Sequence, residues 1–310
     1  MTLTVLFAAG DAAFAEYQQP LRDAFVHHGL KVALVTDAAP ADVDYIVYSP
    51  ASTLRDFTPY TRCKAVLNLW AGVEKIVGNP TLTQPLARMV DPALTRGMVE
   101  YVCGHVLRYH LGMDAYISAP AGQWIAQEPP LAPERVVGIL GLGELGRACA
   151  DALVRLGFTV EGWSSRPKDV PDVTCHHGAE GFNLLLQRSD ILVTLLPLTS
   201  QTENVLDAEA FAQMRDGSWF INPGRGALID DDALLDAIDS GKIKGATLDV
   251  FRIEPLPADH PFWATPNITI TPHIAATTRA ESASNVIASN IARVEAGQTL
   301  LHKVDQQRGY

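Results

Sequence analysis

Val136-Val137-Gly138-Ile139-Leu140-Gly141-Leu142-Gly143-Glu144-Leu145-Gly146 is the stretch that decides the fold. An unbroken apolar run ends in Gly-x-Gly-x-x-Gly, and Leu145, Cys149, Ala152, Leu153 and Leu156 then fall on one helical stripe. Strand, glycine-rich turn and helix in that order mark a dinucleotide-binding βαβ unit, although the glycine spacing alone also occurs in turns that bind nothing. Each glycine has a separate reason to be there. Gly141 allows a tight turn, Gly143 lets the backbone approach a pyrophosphate, and Gly146 lets the helix pack closely on the strand. The helix start at Glu144 and Leu145 offers N–H groups to phosphate oxygens.

Outward from this unit the same alternation continues. Phe158–Trp163, Ile191–Leu196, Trp219–Asn222, Ala246–Val250 and Ile268–Thr271 join Val136–Leu140 as six short apolar runs, the pattern of strands buried on both faces of a parallel sheet. Toward the N-terminus, Leu3–Ala8, Lys31–Thr36, Tyr45–Tyr48 and Ala65–Leu69 read as strands and Gln18–His28 as a helix, a second α/β unit. Val99, Val102, Cys103, Val106 and Leu107 predict a long helix between the two, and Ser118–Pro133 reads as a connector or arm. A last helix is expected over Glu281–Glu295. The fold class is therefore α/β, with two parallel sheets of unequal size.

Composition narrows the function. The 310 residues carry 24 Lys and Arg against 35 Asp and Glu, a net charge of −11, which argues against nucleic acid or an anionic membrane as a partner. Thr2–Ala9 is apolar but lacks a preceding cation, so it reads as a first strand rather than a signal peptide. Four scattered cysteines, with no CxxC, suggest neither a disulfide framework nor a metal site and fit a reducing cytoplasm.

The strand after the glycine-rich turn ends Gly162-Trp163-Ser164-Ser165-Arg166-Pro167-Lys168. A carboxylate that would bind a ribose 2′-hydroxyl is missing from that tip, because Glu161 lies inside the strand and Asp169 comes too late. Ser164, Ser165, Arg166 and Lys168 suit a 2′-phosphate, so NADP(H) is expected as the preferred cofactor, with NAD(H) as the alternative. Three ionisable residues then stand at strand ends. Arg225 lies in Asn222-Pro223-Gly224-Arg225-Gly226, Glu254 in Asp249-Val250-Phe251-Arg252-Ile253-Glu254-Pro255, and His273 in Thr271-Pro272-His273-Ile274-Ala275. Carboxyl ends of parallel strands are where such sheets bind ligands. Reduction of a 2-keto acid needs a cation for the carboxylate, which Arg225 supplies, and a proton donor, which His273 supplies. Glu254 would accept a hydrogen bond from the other imidazole nitrogen and favour the protonated ring.

On these motifs the chain resembles the D-isomer-specific 2-hydroxyacid dehydrogenase family, and within it the glyoxylate/hydroxypyruvate reductase A group. The resemblance rests on Gly141–Gly146, Trp163-Ser164, Asn222 with Arg225-Gly226, Leu248-Asp249-Val250-Phe251 with Glu254-Pro255-Leu256, Thr271-Pro272-His273, and the C-terminal Arg308-Gly309-Tyr310. It implies Arg225, Glu254 and His273 as the catalytic trio and a nicotinamide-carboxamide contact from Asp249. It further implies Leu196, Pro197 and Thr202 along the cofactor cleft, and Ala71-Gly72-Val73 as the loop whose amides hold the substrate carboxylate. The implied architecture is a Rossmann NAD(P)-binding domain at residues 97–279, inserted into a smaller flavodoxin-like substrate domain at 1–96 and 280–310. The family is usually dimeric, with the Ser118–Pro133 arm near the interface.

Two positions depart from the group's pattern. Ser165 stands before Arg166, where an Arg directly after Trp-Ser is common. Trp70 replaces a small residue before Ala71-Gly72, and its ring is expected to wall the pocket in favour of short acids such as glyoxylate or hydroxypyruvate. Dehydrogenation of another D-2-hydroxy acid (lactate, phenyllactate or a branched acid) stays open at this point. A phosphoglycerate dehydrogenase with a regulatory module is disfavoured by the short stretch after His273. A dinucleotide-sensing protein without turnover is disfavoured by the presence of all three ionisable residues.

Overall fold

The structure, a computed structural model, describes residues 2–306 and Gly309, so Arg308 and Tyr310 of the C-terminal motif lie outside the described residues. The chain divides into two compact units, one comprising Met1–Leu94 with Thr277–Tyr310 and the other Thr95–Ala276.

In the first unit, β1 (Leu3–Ala8), β2 (Val32–Val35), β3 (Tyr45–Tyr48), β4 (Ala65–Asn68) and β5 (Leu86–Ala87) form one sheet in the order β2-β1-β3-β4-β5. All its pairs are parallel. This is the flavodoxin-like strand order. Side chains of alternating parity enter two apolar layers, because successive residues of a strand point to opposite faces. Val5, Phe7, Tyr45, Val47 and Leu67 pack with helices α1 (Asp11–His27) and α8 (Ala280–Glu295). Leu6, Ile46, Tyr48 and Val66 pack on the other face with Phe57 and Ile76. The C-terminal helix is tied back by Glu295, which accepts from the Tyr45 hydroxyl and the Lys64 ammonium, each at 2.5 Å.

The second unit begins along α2 (Pro92–His110) and continues through α3 (Met113–Ile117). Its sheet contains β6 (Val136–Leu140), β7 (Thr159–Ser164), β8 (Thr174–His177), β9 (Ile191–Thr194), β10 (Ser218–Asn222), β11 (Ile243–Leu248) and β12 (Ile268–Ile270), in the order β12-β11-β10-β9-β6-β7-β8 and parallel throughout. Helices α4 (Glu144–Arg155), α5 (Gly178–Arg188), α6 (Ala208–Gln213) and α7 (Asp231–Asp239) complete it. The chain reverses its winding between β6 and β9, and the carboxyl ends at that reversal are the ligand-binding position of a Rossmann sheet. Ile139, Val193 and Ile221 face one apolar layer and Leu140, Leu192 and Phe220 the other.

Three elements differ from the sequence reading. Strand β8 makes seven strands rather than six; Thr174-Cys175-His176-His177 is polar because it is an edge strand, and an apolar-run criterion passes over it. Helix α1 starts at Asp11 and carries Pro20 in its interior instead of beginning near it, with the helix-favouring Ala12–Ala15 supplying the first turn. Strand β5 is only Leu86–Ala87, too short to leave a pattern. No regular helix or strand covers residues 118–131. Among the described residues, no helix is long and apolar enough to cross a membrane.

Gly146 and Gly143 make opposite demands. A Cβ on Gly146 would lie 1.8 Å from the Gly141 carbonyl oxygen, whereas one on Gly143 would meet nothing within 4 Å. Gly146→Ala is therefore expected to cost about 3 kcal/mol by overpacking, and Gly143→Ala to leave the urea-unfolding midpoint nearly unchanged. Equal midpoint shifts for the two variants would contradict this assignment.

Candidate active site

The turn after β6 is shaped for a phosphate. Gly141 adopts φ +106°, and a side chain there would collide with the Leu195 carbonyl, 2.7 Å from an added Cβ. No side chain caps α4 at Gly143, and the space a Gly143 side chain would fill is open. A helix N-terminus with an uncapped first turn and an open approach fits a dinucleotide pyrophosphate.

The neighbouring tip of β7 is held in place by its own hydrogen bonds. Ser164 is buried and its Oγ donates to the Arg166 carbonyl at 2.6 Å, which leaves Ser165 and Arg166 exposed on the outside of the turn. Glu161 is buried inside the strand, where it accepts from Arg188 Nε and lies against His176 Nε2, both at 2.7 Å. No carboxylate is thus presented at the tip. The Lys168 ammonium donates to the Leu142 carbonyl at 2.6 Å, on the glycine-rich turn itself. Burial, then the nearby Arg147, holds that ammonium below its ordinary pKa. Arg147 stands one residue beyond the fingerprint, in the first turn of α4, and is a cation that the motif reading missed. In the 197–202 turn, the Thr202 hydroxyl donates to the Pro197 carbonyl at 2.7 Å and accepts from the Thr199 amide at 2.8 Å. Its oxygen therefore shapes its own loop, next to the buried Leu196.

Arg225, Glu254 and His273 all belong to the second unit. Asn222, fully buried at the end of β10, folds the Arg225 loop by donating from Nδ2 to the Arg225 carbonyl at 3.0 Å and accepting from the Gly224 amide at 3.1 Å. Gly226 brings this loop against the next one. An added Cβ would sit 2.0 Å from the carbonyl carbon of Phe251, in the segment that carries Glu254. Glu254 Oε1 accepts from the Phe251 amide at 2.9 Å, and Oε2 meets His273 Nδ1 at 2.8 Å. A carboxylate only accepts, so Nδ1 carries the hydrogen and Nε2 is left for another partner. The two side chains are 50% and 37% exposed, open enough to reach a ligand.

His273 has φ +54°, a left-handed conformation that costs a residue other than glycine about 1–2 kcal/mol. Asp249 holds it there. Its backbone carbonyl accepts from the His273 amide at 2.8 Å. Its carboxylate, 0% exposed, accepts from Thr271 Oγ1 at 2.6 Å and from the Ile274 and Ala275 amides at 2.9 Å each. All these donors come from the segment around His273.

In the first unit, Val73 is buried, Ala71 and Gly72 are half-buried, and the Trp70 ring is 43% exposed. Asn68, an amide buried in the otherwise apolar β4, grips this loop by donating to the Trp70 carbonyl at 2.8 Å and the Gly72 carbonyl at 2.9 Å. A polar residue inside an apolar strand was the signal by which sequence reasoning could have found it.

The family profile described as "D-isomer specific 2-hydroxyacid dehydrogenase, NAD binding domain" matches residues 106–275. A glyoxylate/hydroxypyruvate reductase A from Yersinia enterocolitica is 39% identical over 282 residues, 88% of this chain and 89% of that protein. A D-isomer specific 2-hydroxyacid dehydrogenase from Xanthobacter autotrophicus Py2, solved with NADPH and MES, superposes with a TM-score of 0.93 at 37% identity, covering 100% of both chains. An NADPH-dependent glyoxylate/hydroxypyruvate reductase from Sinorhizobium meliloti, solved with NADP and sulfate, gives 0.85 at 33% identity and covers 100% of this chain and 99% of that one. With the nucleotide turn, the paired Glu254 and His273 and these relatives in one frame, the chain belongs to the D-isomer-specific 2-hydroxyacid dehydrogenase family.

Proposed function

We propose that the chain is an NADPH-dependent reductase of short 2-keto acids, taking glyoxylate to glycolate and hydroxypyruvate to D-glycerate. The observation that carries this reading is the 2.8 Å contact of His273 Nδ1 with Glu254 Oε2, in the same unit as Arg225 and the glycine-rich turn. The names and cofactors of the relatives support the choice of substrate and of NADP(H) over NAD(H). Bound at Gly141–Gly146, the reduced cofactor supplies a hydride for the carbonyl carbon.

The chain's own residues do the rest. Arg225 pairs with the substrate carboxylate through its planar guanidinium. His273, protonated, gives the Nε2 proton to the carbonyl oxygen, while Glu254 fixes the ring through Nδ1 and stabilises the imidazolium. Residues 1–96 with 280–310 serve as the substrate domain and 97–279 as the cofactor domain, within three residues of the two compact units. In the former, the amides of Ala71, Gly72 and Val73 are assigned to carboxylate binding, and the exposed Trp70 ring favours short acids. In the latter, Glu144, Leu145, Leu196, Pro197 and Thr202 are assigned to lining the dinucleotide site and Asp249, 0% exposed, to supporting it from within, while Ser164, Ser165, Arg166 and Lys168 are assigned to the 2′-phosphate side.

The Ser118–Pro133 arm is assigned to a homodimer contact. Trp124 there is 95% exposed, with Ile117 and Leu131 also exposed, and a second copy would cover this apolar area. The four free cysteines suit a reducing cytoplasm.

Steady-state kinetics with glyoxylate test the roles. His273→Gln is expected to lower kcat by about 10²–10⁴, and Arg225→Ala to lower kcat/KM for the keto acid by roughly a hundredfold, chiefly through KM. Near-normal kcat in the His273 variant would remove it as proton donor. For the cofactor, kcat/KM with NADPH should exceed that with NADH, and Arg166→Ala should narrow the gap by about tenfold or more while sparing NADH. Comparable wild-type values with the two cofactors would refute the 2′-phosphate assignment.

A further inference from the structure

Helix α2 packs on the segment that carries His273. Gly97 lies so near it that an added Cβ would be 3.4 Å from the Ala275 carbonyl oxygen. One turn further along the helix, the Tyr101 hydroxyl reaches Thr271 Oγ1 at 2.7 Å. The direction of this bond follows from counting hydrogens. Thr271 has one hydroxyl hydrogen, and it donates to Asp249 Oδ1 at 2.6 Å, so Tyr101 is the donor and Thr271 the acceptor.

A directed chain therefore runs from Tyr101 through Thr271 to Asp249. Its end point is unusual. The Asp249 carboxylate is fully buried, and among the described residues no cation is in ion-pair contact with it, so hydrogen bonds fill its lone pairs. Three donors, from Thr271, Ile274 and Ala275, flank His273 on both sides in sequence and clamp it at φ +54°. Tyr101 adds a donor from a different element, and hydrogen bonds in series strengthen one another in a low-dielectric interior. The Tyr101 ring is itself held, 4.5 Å from the His105 ring. Burial holds the phenol well above its ordinary pKa, so it stays a donor through the neutral range.

We propose that Tyr101 is a positioning residue for His273: acting through Thr271 and Asp249, its hydroxyl holds the 271–275 segment in the conformation that sets the imidazole against Glu254. This rests on the reading of His273 as proton donor. Among the described residues no hydrogen bond joins Tyr101 to His273 or Glu254, and its hydroxyl reaches them through the hydrogen-bonded chain.

A double-mutant cycle with Tyr101→Phe and Thr271→Val tests it, read by kinetics with glyoxylate and NADPH and by amide hydrogen exchange over residues 271–276. Tyr101→Phe keeps the ring and its contact with His105. It is expected to lower kcat roughly fivefold, the size of one lost hydrogen bond, with KM for NADPH and for glyoxylate unchanged. Exchange at Ile274 and Ala275 should quicken by a similar factor. In the Thr271→Val background the same Tyr101→Phe change should add less than about twofold, because the chain is already cut. Wild-type kcat and exchange in Tyr101→Phe would overturn the proposal. So would an undiminished effect in the Thr271→Val background, which would assign Tyr101 to packing. Should the wild-type chain reduce no 2-keto acid, the reductase reading fails by itself, and exchange alone decides the coupling: protection lost in Tyr101→Phe upholds it, and protection kept overturns it.

Discussion

A single buried carboxylate organises the catalytic end of the second unit. Asp249 follows β11 and has no access to water, so its charge is tolerable only while its lone pairs are filled. The groups that fill them are the Thr271 hydroxyl and the Ile274 and Ala275 amides. Satisfying the charge and bending the chain at His273 are therefore the same event. The bend costs little compared with an unsatisfied buried carboxylate, which is why a histidine can persist at a positive φ there.

Around this centre, missing side chains set the distances. Gly226 lets the Arg225 loop press on the backbone at Phe251, and the Phe251 amide in turn anchors Glu254. Gly146 does the same between the nucleotide turn and α4. Parallel pairing brings the carboxyl ends of β6, β10, β11 and β12 to one side of the unit, where residues far apart in sequence such as Glu254 and His273 meet. Positive charge is concentrated where the chemistry needs it. Against a net charge of −11, Arg225 lies in the same unit as the imidazole, and Arg147 and Lys168 stand by the nucleotide turn.

Much of this was legible in the sequence, and the rest was not for identifiable reasons. The two parallel sheets announced themselves as apolar runs because both of their faces are buried. The edge strand β8 broke that rule and escaped. Arg225, Glu254 and His273 could be picked out together because each lies in the loop after the carboxyl end of a strand, three to six residues on. Lys168 was legible as a cation near the β7 tip, but its bond to the Leu142 carbonyl was not, because a flexible four-carbon stem can carry the ammonium to any of several neighbours. Asn68 and Tyr101 act through hydrogen bonds to backbone or to a threonine, across gaps that no periodicity encodes. Tyr101 and Thr271 are 170 residues apart.

The central claim is that hydride passes from the cofactor to a 2-keto acid while the protein supplies the proton. Incubating the enzyme with glyoxylate and NADPH carrying deuterium at the transferable C4 position, followed by mass spectrometry of the product, tests it most directly. The account predicts glycolate with one deuterium on C2, formed in step with NADP⁺ and equally labelled in ordinary water. Unlabelled glycolate, or cofactor that binds and returns with its deuterium intact, would contradict it.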